Sequence, residues 1–276
     1  MSRRLTDEIC AYAPAVQWVP ENTMTSAQRK LKRGIEHVET LCGETAAFED
    51  DEAYLFEPER ELRSPQEAVY RCFAVERKAA PGHWPLLAGE AIQNLRSALD
   101  HLIFEKSGGN RRTQFPIFTD PCEFQVLGGR MMKRVPKAVR ASIETVQPYK
   151  FMPEDAAHHP LALLNSLSNL DKHRMLATIV SSVVHEGVGI PNGVKLTWNE
   201  IATNKRLGAG KAHISTFTIR SEGEIEEMNV EPMFAYEVRI EGHPVGTLKW
   251  IGNSVYHVFY EVDKGEKAPL FLQSPL

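Results

Sequence analysis

The sequence predicts an α+β protein: an N-terminal helical bundle of about four helices with an inserted β hairpin, followed by a small antiparallel β module. Three observations carry that expectation. Apolar residues recur at helical spacing in four stretches before Gly187, the stretch from Asp51 to Ala79 shifts to a shorter period, and beyond Gly187 glycine, threonine, valine and aromatic residues alternate. The helical core with its hairpin is therefore placed at residues 1–187 and the β module at 188–276. With 276 residues, 42% of them apolar, the chain can bury a core without disulfides or metal. The formal charge of -4 excludes a globally basic nucleic-acid binder, so such a partner would need a local patch.

The elements follow in order. Residues 1 to 22 carry Tyr12, Pro14 and Trp18 without a period and read as an arm packed on the body. Thr25 or Ser26 then caps a helix running to about Leu41, with Leu31, Ile35, Val38 and Leu41 inward, Arg29, Lys30, Lys32 and Arg33 on its other face, and Gly43 as its stop. Tyr54, Phe56, Val69, Tyr70, Cys72, Phe73 and Val75 mark the hairpin, with Pro58 and Ser64-Pro65 as breakers. A helix from about Leu86 to Lys106 stops at Gly108 and Gly109, which suit a left-handed cap. In it Ala91, Ile92, Leu95, Ala98, Leu99, Leu102 and Ile103 share one arc, and Glu90, Gln93, Asn94, Arg96, Ser97, Asp100 and His101 fill the opposite one.

A short extended piece, Phe115 to Phe118, precedes a helix opened by Pro136 with Val135, Val139, Ile143 and Val146 inward, and Gln147-Pro148-Tyr149 ends it. The last long helix starts after Pro160, carries Leu161, Leu164, Leu167, Leu170, Leu176 and Val180 inward, and reaches Val183 and Val184 before Gly187. Strands are expected at Val194 to Trp198, Ile214 to Ile219, Phe234 to Ile240 and Val245 to Val262. The acidic stretch Glu222, Glu224, Glu226, Glu227 and Glu231 belongs in a connecting loop.

Cys10, Cys42, Cys72 and Cys122 lie far apart with no C-x-x-C spacing, which reads as reduced thiols. Without an apolar stretch of signal-peptide or membrane-span length, a cytoplasmic protein with no membrane partner is expected. There is no Walker loop, no G-x-G-x-x-G after a strand, no H-E-x-x-H and no G-x-S-x-G, so no cofactor is expected. A metal site gets the same answer. His159 and His173 would lie about 21 Å apart on a straight helix, and Asp155, His158 and His159 read as a helix-start cap or surface cluster.

Four strings stand out: Gly89 to His101 (G-E-A-I-Q-N-L-R-S-A-L-D-H), Thr113 to Ile117 (T-Q-F-P-I), Gln147 to Tyr149 (Q-P-Y) and Asn169 to Arg174 (N-L-D-K-H-R). In content and order they resemble a large bacterial family of uncharacterised proteins, over roughly residues 84 to 176, a resemblance that implies a family and no activity. The R-x4-H within the first string is similar to the motif of the HEPN superfamily, helical bundles with a metal-independent ribonuclease site that usually forms across a homodimer interface. That resemblance implies a homodimer acting on RNA, His101 as general acid or base and Arg96 stabilising charge on the phosphorus-centred transition state, with Asn94 and Ser97 orienting substrate. Five residues on a helix set Arg96 and His101 about 140° apart, so convergence on one phosphate needs a partner chain or an irregular turn. Arg77 with His83 and Arg206 with His213 also fit R-x4-6-H. The other reading of the motif pairs Arg96 with Asp100 and makes His101 structural.

Asn169, Asp171, Lys172, His173 and Arg174 form a polar knot in an apolar helix. Asn169 or Asp171 is expected to reach Arg96, His101 or Asp100 across the bundle, either as a network that fixes register or as support for catalysis, with Glu90, Asn94, Asp100 and His173 in supporting positions. From Phe124 to Ile143, Arg130, Lys133, Arg134, Lys137 and Arg140 occur with no acidic residue and on a continuous helix would share one face: an RNA-binding surface or a solvated one. Two functions are thus expected of the chain: a HEPN-like metal-independent ribonuclease or RNA-processing protein, or a non-catalytic binding or scaffold protein in which the R-x4-H and D-K-H-R segments are structural.

Overall fold

The computed structural model describes residues 19–201, 205–225 and 230–264. Residues 1–18 of the expected N-terminal arm, Cys10 among them, lie outside the described residues, as do Glu226 and Glu227; the arm's last residues lead into a 3-10 turn, Glu21–Thr23. The chain is α+β, as its periodicities require, and divides into two compact units built from interleaved segments. One takes the residues up to Cys42, His83–Leu176 and those from Val245 onward; the other takes Gly43–Gly82 and Ala177–Pro244. The boundary drawn near Gly187 falls inside a strand, Thr178–Gly189.

The first unit is helical. Helix α1, Ser26–Asp50, begins with a reciprocal capping box: Thr25 N–H donates to Gln28 Oε1 at 3.1 Å and Gln28 N–H to Thr25 Oγ1 at 3.3 Å. It does not stop at Gly43. A Cβ there would meet nothing within 4 Å, and beyond it Thr45 and Phe48 are buried, so packing overrides glycine's poor helix propensity. Helix α2, Trp84–Lys106, buries the expected arc from Ala91 to Ile103 and ends on Gly108 and Gly109, both at positive φ. Two glycines let neighbouring segments approach: a Cβ on Gly34 would sit 2.8 Å from Leu95 Cδ2, and one on Gly89 would sit 2.6 Å from Asp171 Oδ1.

Helix α3, Lys137–Thr145, buries Ile143 between the buried Val135 and Val146, the stripe the sequence predicts. Helix α4, Pro160–Asp171, is shorter than expected. Its C-terminal N–H groups turn back onto Leu170 and Ser168 carbonyls, and Thr178 to Gly189, rich in β-branched residues, continues as strand β3 rather than helix. The opposite correction applies to Val245 to Val262. The segment forms helix α5, Gly246–Phe259, which buries Leu248, Ile251, Val255, Val258 and Phe259 at helical spacing and packs on α2 and α4.

The second unit holds two antiparallel four-stranded sheets. Strands β1 (Tyr54–Ser64) and β2 (Glu67–Glu76) form the expected hairpin, and β2 pairs onward with β6 (Lys211–Ser221), which pairs with β4 (Val194–Ile201). Pro58 lies inside β1 without breaking it because β1 is an edge, where no ladder bond is needed on the outer side. In the other sheet β3 pairs with β7 (Glu231–Ile240), flanked by β5 (Arg206–Leu207) and β8 (His243–Pro244). Tyr54 and Phe56 meet Tyr236 and Phe234 between the sheets, and the Tyr236 hydroxyl accepts from Ala53 N–H and donates to carbonyls of Phe48 and Glu49.

The two glycines of α1 make opposite demands. Gly34→Ala should lower stability by about 1–2 kcal/mol, since overpacking against Leu95 outweighs the gain in helix propensity. Gly43→Ala, with open space around it, should raise stability by up to about 1 kcal/mol. Thermal or urea unfolding of both variants checks the pair.

Candidate functional site

Arg96 points into the helical unit instead of joining the polar arc of α2: it is 5% exposed. Its Nη2 lies 3.2 Å from Asp100 Oδ1 and donates to the Phe115 carbonyl at 2.9 Å, while the same Asp100 oxygen accepts the Phe115 N–H at 2.9 Å. Arg96 and Asp100, one helical turn apart, thus serve both backbone groups of Phe115 as a neighbouring strand would. Burial lowers the guanidinium's pKa, and Asp100 opposes that shift. Nη1 is buried without an acceptor among the described residues. Gln147 continues the device: its Nε2 donates to the Pro116 carbonyl at 3.0 Å and its Oε1 accepts the Phe118 N–H at 3.0 Å. Phe115 to Phe118 belongs to no helix or strand, and its polar backbone is satisfied by side chains. The sequence reading did not assign this role to Gln147 or to Phe115; Pro116, which has no N–H and favours an extended neighbour, was the available signal.

His101 leaves α2 in another direction. Its Nδ1 is 2.7 Å from Ser26 Oγ at the start of α1. Beside it the two helices are joined by Lys30 Nζ donating to Asn94 Oδ1 at 3.1 Å, by Ala27 N–H donating to Glu105 Oε1 at 3.2 Å, and by His37 Nε2 3.4 Å from Glu90 Oε2. Burial, then Arg33, holds the His37 imidazole below its ordinary pKa against the pull of Glu90. Arg96 and His101 therefore belong to separate intrachain pairings, Arg96 on the Phe115 segment and His101 on α1. Glu90 and Asn94 stand with His101 on the α1 side, and Asp100 stands with Arg96.

The D-K-H-R string is not a buried knot, because α4 ends within it. Asn169, Lys172, His173 and Arg174 are exposed, and only Asp171 turns inward. Asp171 Oδ2 accepts from Gln93 Nε2 at 3.1 Å, and that nitrogen also donates to the Ser168 carbonyl. Asp171 thus pairs with Gln93 and lies close over Gly89, in place of reaching the expected Arg96, His101 or Asp100. Asn169 instead accepts from Lys172 Nζ at 3.2 Å.

His159 and His158 are also accounted for separately. His159 Nδ1 accepts Leu161 N–H at 3.2 Å and caps α4, as expected of a helix start, and burial, with His257 second, pushes its pKa down to about 4. His158 pairs with Asp155. Among the described residues no group of three or more His, Cys, Asp or Glu side chains could hold a metal ion, and no helix is long and apolar enough to cross a membrane. The Cys42 and Cys72 thiols are buried, and that of Cys122 is exposed.

The basic residues do not share a single helix. Helical structure runs from Pro121 to Met131, breaks at a turn in which Arg134 takes φ 68°, and resumes at Lys137 after Pro136. The break brings in cations that the window from Phe124 to Ile143 missed. Gln114 N–H donates to the Met131 carbonyl at 3.1 Å and Asn110 Nδ2 to the Lys133 carbonyl at 3.0 Å, which ties the strip carrying Arg111 and Arg112 to the turn carrying Lys133 and Arg134. Arg111, Arg112, Arg130, Lys133, Arg134 and Lys137 are exposed, and none has a carboxylate partner among the described residues. Arg140, half-buried, spends its Nε on the Val135 carbonyl. Two acids stand at the start of the helical run: Asp120 caps it through Cys122 and Glu123 N–H, and Glu123 is exposed in its first turn.

Comparison of the chain with protein-family models, with curated proteins and with solved structures finds no match.

The pairings set two expectations. Arg96→Ala strands the buried Phe115 carbonyl and the Asp100 carboxylate and should cost about 2–4 kcal/mol, whereas His101→Ala removes one half-exposed hydrogen bond and should cost about 1 kcal/mol; urea unfolding distinguishes them. For His159 the folded pKa, about 4, lies below the ordinary 6.5, so its contribution is full above pH 6.5 and lost as pH falls toward 4. At 1.36 kcal/mol per unit the loss is about 3 kcal/mol. His159→Asn, which keeps a capping oxygen and removes the titration, should flatten that part of the stability–pH curve.

Proposed function

We propose that this chain is a non-catalytic binding protein that holds the phosphodiester backbone of RNA on the basic surface of its helical unit, with the R-x4-H and D-K-H-R segments serving the fold. The observation that carries the reading is the exposed, acid-free group of Arg111, Arg112, Arg130, Lys133, Arg134 and Lys137, assembled from two strips that backbone and side-chain hydrogen bonds hold together. Four of the six are arginines, whose planar forks match phosphate oxygens bidentately. No aromatic ring is among the six, so the surface is suited to phosphates and tolerant of sequence.

The ribonuclease alternative requires a guanidinium and an imidazole at one scissile phosphate. Arg96 is buried and committed to Phe115, and His101 to Ser26, an arrangement that favours binding without cleavage.

Fluorescence anisotropy of a labelled single-stranded RNA across a salt series tests the proposal. Six phosphate contacts should give a slope of about -4 in log K against log salt, and Lys133→Ala with Arg134→Ala should reduce its magnitude by about 1.4. His101→Ala should leave the slope unchanged. Absence of binding at low salt, or a slope indifferent to the double substitution, overturns the reading. Cleavage of the RNA in EDTA by the parent but not by His101→Ala would restore the ribonuclease.

A further inference from the structure

We propose that strand β4 is a docking edge for a second copy of this chain, the two β4 strands pairing antiparallel about Thr197 so that two four-stranded sheets become one sheet of eight. Strand β4 belongs to the sheet unit, and its pairing does not depend on RNA binding.

The strand orders β1-β2-β6-β4 and β5-β3-β7-β8 leave β1, β4, β5 and β8 with an open side. Proteins blunt such edges with proline, charge or brevity, because an uncovered row of N–H and C=O groups recruits another strand. β5 and β8 are two residues long and cover only Val180–Ser181 of β3 and Arg239–Ile240 of β7, so those strands have open stretches as well; but β3 is broken by two register shifts, and β7 carries Pro232 and gives its Val238 N–H to Glu49 Oε1. β1 carries Pro58 among Glu57, Glu59 and Glu61. β4 is eight residues long and has no proline, and outside its ladder with β6 the one backbone–backbone bond it makes among the described residues is at its start, where Val194 N–H donates to the Pro191 carbonyl at 3.4 Å.

Lys195, Thr197 and Glu200 stand opposite Arg220, Thr218 and Thr216 of β6, on one face, while Leu196 and Trp198 stand opposite the fully buried Ile219 and Phe217, on the other. A bulge between Trp198 and Glu200 makes this possible, since in a regular strand residues 195 and 200 would point to opposite faces. Bulges also serve to protect edges; this one leaves Lys195 and Glu200 equidistant from Thr197 in ladder positions. A two-fold axis through Thr197 then sets Lys195 against the second copy's Glu200, Leu196 against its Trp198, and Thr197 against its own counterpart. Both charged pairs are attractive and the apolar residues share a face. Two-fold registers centred on Lys195 or Glu200 would set like charges opposite. Lys195 has no ion-pair partner among the described residues, and Glu200 has only a long contact, 3.9 Å from His213 Nδ1.

A lone strand pair is smaller than the roughly 1,200 Å² of a standard interface, so the dimer is weak, with Kd on the order of micromolar. Sedimentation equilibrium of the full chain at low salt is the test. The parent should dimerise, Lys195→Glu and Glu200→Lys should each weaken the dimer about tenfold, and the double exchange should restore it to within about threefold of the parent. Thr197→Lys, which places like charges on the axis, should abolish it. All three substituted positions lie on the exposed face, and matching thermal midpoints verify that each variant is folded. A parent that stays monomeric at about 100 µM, a dimer indifferent to the single substitutions, or a double exchange no tighter than the singles overturns the proposal; indifference would place any dimer on another surface.

Discussion

The helical unit depends on satisfying the backbone of a stretch that has no strand beside it. Phe115 and Pro116 are buried, and an unpaired buried carbonyl or N–H costs about 1–3 kcal/mol. Arg96, Asp100 and Gln147 supply the missing ladder from two helical regions, α2 and the turn that follows α3. Three of the strings that stand out in the sequence are the parts of this one device, and its chemistry explains their residue types. A carbonyl needs a donor, an N–H needs an acceptor, and a glutamine offers both.

The clamp reaches the surface through the same stretch of chain. Upstream of Phe115, Gln114 and Asn110 bond to the backbone of Met131 and Lys133, so the device that orders Phe115 also presents Arg111 and Arg112 beside the turn carrying Lys133 and Arg134. Burying one cation thus helps to display two others, Arg111 and Arg112. The polar side of α2 is divided in the process: Arg96 serves the Phe115 stretch, and Glu90, Asn94 and His101 serve α1. Gly34 and Gly89 keep the neighbouring segments close enough for these short contacts.

Much of this was legible in the residues. The capping position of α1, the buried arc of α2, its glycine stop and the β1–β2 hairpin all come from local rules that the tertiary structure does not override. The misreadings lie where two periods compete. Val245 to Val262 is rich in β-branched and aromatic residues, yet Leu248, Ile251, Val255 and Val258 recur every three or four positions and win as a helix. Val180, Val183 and Val184 extend the apolar spacing of α4 beyond Asp171, where β-branching favours a strand. The inward turn of Arg96 could not be read from helical geometry, since its cause is a carbonyl nineteen residues further along the chain.

The interleaving of the two units constrains how the protein is made. The chain passes from one unit to the other after Cys42, Gly82, Leu176 and Pro244, and α5, which packs on α2 and α4, is separated from α4 by the whole of β3 to β8. During synthesis the earlier helices leave the ribosome with an apolar side uncovered until residues 246–259 follow. Chaperone demand should accordingly peak late in translation, and a nascent chain halted before α5 should be the form most prone to aggregate.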